Sequence, residues 1–115
     1  MNILALTSIY LSIFVYTVSR IKILQQWKDD LIMCPSQCFL YFSFDDKIYE
    51  LYLRWRHRDP WTATLSGPYT QIGNTYIEDA DSVNVQLDVP DYSHDQLDKI
   101  KKVSYQLAIK YLSSY

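Results

Sequence analysis

The stretch FLYFSFDDKIYELYLRWR, residues 39–56, decides the fold, because it carries two strand patterns separated by a short polar break. Residues 39–44 form an apolar and aromatic run, and the charged triplet at 45–47 has the composition of a hairpin connection. Residues 48–56 then alternate between two faces, as a half-buried strand does. The face predicted to point toward the core carries Tyr49, Leu51, Leu53 and Trp55. We therefore predict an antiparallel hairpin here.

Further strand patterns follow this hairpin. They cover residues 61–65, 69–72, 75–77 and 82–89. Gly67 and Pro68 are predicted to end the first of them, and Gly73 with Asn74 is predicted to form a turn between the next two. The sequence thus predicts an antiparallel β-meander of four or five strands.

The last quarter of the chain predicts an amphipathic helix packed on one face of the sheet. Ser93 can cap its start, and Gln96 stands where a capping box requires a glutamine or glutamate. Its apolar residues are Leu97, Ile100, Val103, Leu107, Ala108, Tyr111 and Leu112.

Residues 2–19 carry no charged side chain, and Arg20 and Lys22 follow directly. Polar residues up to Asp29 recur at steps of three, four or seven, which predicts one long helix over residues 3–31. The fold class is then α+β, with an apolar N-terminal helix in residues 1–32 and a small α+β domain in residues 38–115.

The N-terminal helix has three interpretations. As a membrane anchor with a basic flank, it would make a single pass and leave the domain on the cytoplasmic side. As a soluble helix, it would expose its polar stripe, and the protein would be cytoplasmic. A cleaved secretory signal is disfavoured, because no basic residue precedes the apolar run.

The charge distribution predicts an acidic surface. The 115-residue chain has a formal net charge of −2, and its eleven tyrosines are numerous for this length. No Lys or Arg lies between Arg58 and Lys99, whereas eight Asp and Glu residues do. Tyrosine rings and carboxylates in one region could together bind a basic partner.

The predicted binding residues are Arg54, Arg56, Arg58 and Trp61. If the strand extended through them, the three guanidinium groups would share a face and could bind phosphate, carboxylate or an acidic protein surface. A structural alternative is that these arginines pair with Glu50, with Asp59 or with acids on a neighbouring strand. His57 would then be a residue at the edge of the core rather than a base.

The sequence predicts neither a metal site nor a catalytic site. Cys34 and Cys38 are too few for a disulfide framework, and His57 and His94 do not complete a recognised zinc spacing. The redox state of the two cysteines depends on the compartment. No glycine-rich phosphate loop, paired-histidine motif or nucleophile elbow occurs. We therefore expect no cofactor and no enzymatic activity.

The sequence is compatible with three functions. The first is a membrane-anchored assembly or interaction subunit of a larger complex, whose sheet and helix dock on a protein partner. The second is a soluble regulatory or inhibitor protein that binds a basic partner through its acidic surface. The third is contact with an anionic ligand or a nucleic acid through Arg54, Arg56 and Arg58, although the net negative charge argues against nucleic acid. A homo-oligomer is compatible with all three.

Overall fold

The computed structural model describes residues 20–32 and 34–114. They form a five-stranded antiparallel sheet in which each strand pairs with the next along the chain. The strands are β1 (Ile21–Asp30), β2 (Ser36–Phe44), β3 (Lys47–Trp55), β4 (Thr62–Ile72) and β5 (Thr75–Leu87). A short 3₁₀ helix (His94–Gln96) leads into the α-helix α1 (Leu97–Leu112).

The core lies between α1 and one face of the sheet, which we call the inner face. Strand alternation supplies one half of it, since every second residue of β2 is buried. The helix supplies the other half through Ile100, Ser104, Ala108 and Leu112, which follow one another at steps of four. At the start of the 3₁₀ helix that leads into α1, the Gln96 Oε1 atom accepts the Ser93 backbone N–H at 2.9 Å, as the sequence predicts.

Two tight turns hold the hairpins together. Asp45 and Asp46, between β2 and β3, have positive φ angles of 49° and 64°, a conformation that aspartate tolerates better than most residues. Gly73, in the predicted turn between β4 and β5, has φ 62°. These turns fix the register of their strands.

The prediction that Gly67 and Pro68 end a strand is wrong, because β4 continues through both residues. The pairing of β4 with β3 and with β5 shifts at this point, so the strand is bulged rather than broken. Only glycine fits at Gly67: a Cβ atom there would lie 2.5 Å from the Tyr49 ring and 2.8 Å from the Ile48 carbonyl oxygen.

The long N-terminal helix predicted over residues 3–31 is also wrong, and with it the predicted fold class. Ile21–Asp30 is the edge strand β1, antiparallel to β2, and residues 1–19 lie outside the described part of the chain. The register shifts twice along β1, between Ile23 and Gln25 and between Gln25 and Lys28. Each shift interrupts the alternation of side chains between the two faces of the strand. The polar residues of β1 are therefore spaced at three or four positions, as in a helix, rather than at two.

The predicted membrane anchor also depended on this N-terminal helix. Among the described residues no helix combines the length and the apolar character that a bilayer crossing requires, so the expectation of a transmembrane helix is wrong for this part of the chain. The single-pass topology and its cytoplasmic orientation depended on that helix. The predicted border between the two parts of the chain, at residues 33–37, includes the first two residues of β2, which pairs with β1.

The opposite side of the sheet, the outer face, is not covered by any described helix or strand, because α1 occupies the inner side alone. The side chains that project there are therefore not packed under another described element.

Candidate functional site

A cluster of tyrosines and glutamates lies at the centre of the outer face. It consists of Tyr41, Glu50, Tyr69, Tyr76 and Glu78, and we call it the acidic tyrosine cluster. Tyr41 and Glu50 are direct cross-strand partners in β2 and β3. Their neighbours along each strand point to the inner face, so alternation alone places these two side chains outside.

The β4 bulge brings Tyr69 to the same face. Ala63 and Leu65 point into the core, and a regular strand would direct Tyr69 there too. The register shift between Gly67 and Tyr69 reverses the alternation. Tyr69 then pairs with Glu78.

The tyrosine rings contact one another directly. Tyr41 stacks on Tyr76 with ring centroids 4.1 Å apart and planes 9° from parallel. Tyr69 meets Tyr41 edge-on at 5.8 Å. Phe39 and Tyr52, with centroids 5.0 Å apart, extend the aromatic surface along β2 and β3. Such ring pairs contribute stabilisation beyond the area that they bury.

Both carboxylates of the cluster accept hydrogen bonds from phenols. The Tyr41 hydroxyl donates to Glu50, and the Tyr69 hydroxyl donates to Glu78 Oε1 at 3.5 Å. Burial, together with the nearby carboxylates, raises the pKa of Tyr69 to about 12. Burial and the Glu50 hydrogen bond raise the pKa of Tyr41 as well. The phenols therefore stay protonated at neutral pH and act as donors.

The charge of Glu50 is only partly compensated. Burial raises its pKa, the Tyr41 hydrogen bond lowers it, and the negative charge of Glu78 raises it again. The ion pairs found within the described residues are Arg20 with Asp45 and Lys101 with Asp29, and neither involves the cluster. Glu50 is half-buried and Glu78 is exposed, and neither carboxylate forms an ion pair within the described residues.

An open groove borders the cluster on the β1 side. It has a volume of about 510 Å³ and is lined by Gln25, Lys28, Asp29, Asp30, Phe39 and Tyr41. Because Tyr41 belongs both to the groove and to the cluster, an extended chain could lie along the groove and reach Glu50 with one side chain.

The structure does not bring the predicted binding residues together as the sequence indicates. Arg54 is exposed on β3, but the strand ends at Trp55, and Arg56 and Arg58 lie in the following loop. The Asp59 N–H donates to the Arg56 carbonyl oxygen at 3.1 Å, and His57 has φ 50°. This turn ends the alternation on which the shared face depended.

Trp61 lies in the core, with only 1% of its surface exposed. Its ring packs parallel to that of His94 at a centroid distance of 5.8 Å, and its Nε1–H donates to the His94 carbonyl oxygen at 3.4 Å. The alternative in which the arginines pair with nearby acids is not observed either, since none of them forms an ion pair within the described residues.

The loops around Arg58 meet at one end of the sheet, where sequence reasoning missed two contacts. Cys34 Sγ lies 3.6 Å from His57 Nε2, and Ser36 Oγ lies 3.1 Å from His94 Nε2. A cavity of about 400 Å³ opens beside them, lined in part by Trp55, His57, Arg58, Asp59, Asp91 and His94. The partners in these contacts are 23 and 58 residues apart in the chain, so local spacing carries no signal for them.

Comparison of this chain with protein-family models, with curated proteins and with solved structures finds no match, so the site is interpreted from its own chemistry.

Proposed function

We propose that this chain is a non-enzymatic protein-interaction module whose outer sheet face binds a basic segment of a partner protein. The observation that supports this is the acidic tyrosine cluster, where Glu50 and Glu78 lie among aromatic rings without a described ion-pair partner. The proposal keeps two expectations from the sequence, docking on a protein and an acidic tyrosine-rich binding surface. It leaves the membrane anchor out.

A cation from the partner would compensate the negative charge of Glu50. A carboxylate that has lost hydration gains more from an added cation than one in bulk water, because the effective dielectric constant around it is lower. The aromatic rings add attraction, since a guanidinium or ammonium group over a ring face interacts favourably with the π electrons. Arginine suits the cluster best, because its planar fork can bond a carboxylate and stack on a ring at once.

The groove beside Tyr41 supports an extended partner segment rather than a single ion. It is lined by residues of β1 and β2, and the side chains of Gln25, Lys28 and Asp30 offer hydrogen-bond groups beside its aromatic wall. A segment in which basic residues alternate with small ones would present all its cations to the same side.

The test is a binding titration with a defined probe. A short fluorescent peptide in which Arg alternates with Ser should bind the full-length chain with an affinity that decreases as salt is added. The double variant Glu50→Gln/Glu78→Gln preserves the shape of both side chains and their capacity to accept a tyrosine hydroxyl. We expect it to bind the peptide at least about tenfold more weakly.

The matched control is Asp46→Asn/Asp88→Asn, which removes the same charge from exposed positions outside the cluster. Its affinity should stay close to that of the unmodified chain. If both double variants lost the same amount of affinity for the peptide, net charge alone would attract it. If the glutamine variant kept its affinity, the cluster would not be the binding site.

A second candidate function is contact with an anionic group through Arg54, Arg56 and Arg58. All three are exposed, and none forms an ion pair within the described residues. Single-stranded nucleic acid and a Glu-containing peptide can be compared as probes at low salt. Binding of either probe that is lost in Arg56→Gln/Arg58→Gln would favour this candidate, whereas the absence of binding to both probes would end it.

A further inference from the structure

Beyond peptide binding, the end of the sheet near Cys34 carries the elements of a metal site. The chain contains two cysteines and two histidines, which are the side chains that bind zinc through sulfur and nitrogen. Cys38 is buried in the core with no exposed surface. His94 contacts Ser36 and packs against Trp55, with a centroid distance of 4.4 Å. The exposed Cys34 and His57 therefore remain as accessible ligands.

The separation of the two ligand atoms in this pair is compatible with zinc. A tetrahedral Zn²⁺ ion, with a bond of about 2.3 Å to sulfur and about 2.0 to 2.1 Å to nitrogen, holds the two ligand atoms about 3.6 Å apart. The observed distance between Cys34 Sγ and His57 Nε2 is 3.6 Å. An ion could thus bridge the two side chains without any change in their separation.

The pair is only half of a coordination shell. Structural zinc sites in proteins have four ligands, and within the described residues no group of three or more Cys, His, Asp or Glu side chains could hold a metal ion. Because both ligands lie on exposed loops, a second copy of the chain can approach them. A two-fold axis through the metal would supply one more cysteine and one more histidine.

We propose that Cys34 and His57 of two copies together bind one Zn²⁺ ion as a Cys₂His₂ site. Charge supports the paired site over a site in one copy. Two thiolates neutralise Zn²⁺, whereas a single thiolate leaves one positive charge next to Arg56 and Arg58. Each Cys34 thiol releases its proton to solvent when its sulfur binds the ion, so the affinity for zinc rises with pH.

The test uses the full-length chain, kept reduced, and two metals. Isothermal titration with Zn²⁺ should saturate at half an equivalent per chain, and sedimentation should show that the mass doubles when the metal is added. Co²⁺ should give the strong visible bands of a tetrahedral site together with sulfur-to-metal charge transfer in the near ultraviolet. Cys34→Ser and His57→Gln should each lose the half-equivalent endpoint, the Co²⁺ spectrum and the metal-dependent dimer.

His94→Gln is the matched control, because it removes the other imidazole of the chain, which contacts Ser36 and is not a proposed ligand. It should retain the stoichiometry and the spectrum. The proposal fails if Zn²⁺ saturates at one equivalent with a monomeric chain, if neither metal binds, or if Cys34→Ser retains the tetrahedral Co²⁺ spectrum.

Discussion

Glu50 lies half-buried between aromatic rings, where its carboxylate has exchanged part of its hydration for one hydrogen bond from the Tyr41 hydroxyl. The sequence places Glu50 correctly on the face opposite Leu51 and Leu53, because β3 alternates without interruption. It does not indicate that Tyr69 shares this face. That depends on the bulge next to Gly67, whose need for a glycine comes from the approach of Tyr49 on the neighbouring strand.

The raised pKa of Glu50 gives the proposed binding a pH dependence. A carboxyl whose pKa is raised becomes neutral at a pH where an ordinary glutamate is still charged, so the attraction for a cation is lost earlier on acidification. We expect the affinity for the arginine peptide to decrease as pH falls through this raised pKa. Fluorescence titrations at a series of pH values measure it.

Glu50→Gln should flatten this profile, because no proton can then be gained at that position. A pH profile of affinity that is the same with and without Glu50 would contradict the assignment.

The pH dependence of stability has the opposite sign to that of peptide binding. The folded state holds the Glu50 proton more tightly than the unfolded chain, so this group favours folding at low pH and loses that contribution as pH rises through the folded pKa.

At the scale of elements, β1 is the strand that the sequence did not predict, whereas the β2–β3 hairpin and α1 agree with their patterns. The regularity of the side-chain pattern explains which elements the sequence predicts. The hairpin keeps one alternation from end to end and α1 keeps its apolar face, but β1 contains two register shifts that mix the two faces. Its place at the edge is fixed by contacts distant in sequence, such as the ion pair between Asp29 and Lys101 at 2.6 Å.

The packing of β1 on the domain can be tested at Trp27. This side chain packs against the core, and the Lys101 ammonium lies 5.5 Å from its ring centroid. Trp27→Ala should lower the free energy of unfolding by about 2 kcal/mol, less than for a fully buried tryptophan because the ring is only half-buried. Urea unfolding followed by circular dichroism measures the change.

Gln26→Ala is the matched control, because Gln26 is exposed on the same strand. It should change the stability by less than about 0.5 kcal/mol. If Trp27→Ala left the free energy of unfolding equally unchanged, β1 would not contribute to the core in the way described.

At the scale of the whole molecule, the sheet separates two kinds of surface. Its inner face is closed by α1, and its outer face carries the acidic tyrosine cluster and the groove along β1. The exposed loops at one end bring Cys34 and His57 together. The sequence predicts the acidic and tyrosine-rich character of the chain from composition alone. It could not predict these assemblies, because each depends on which strands become neighbours.

The binding face can be located in a single measurement. Amide and tyrosine-ring NMR signals of the full-length chain, recorded while the arginine peptide is added, report which residues contact it. We predict that the largest shifts occur at Tyr41, Glu50, Tyr69, Tyr76 and Glu78, with smaller ones along the β1 groove. Shifts concentrated on the outer surface of α1 or on the loop at 56–60, with the tyrosine rings of the cluster unchanged, would contradict the proposal that the outer sheet face binds the partner.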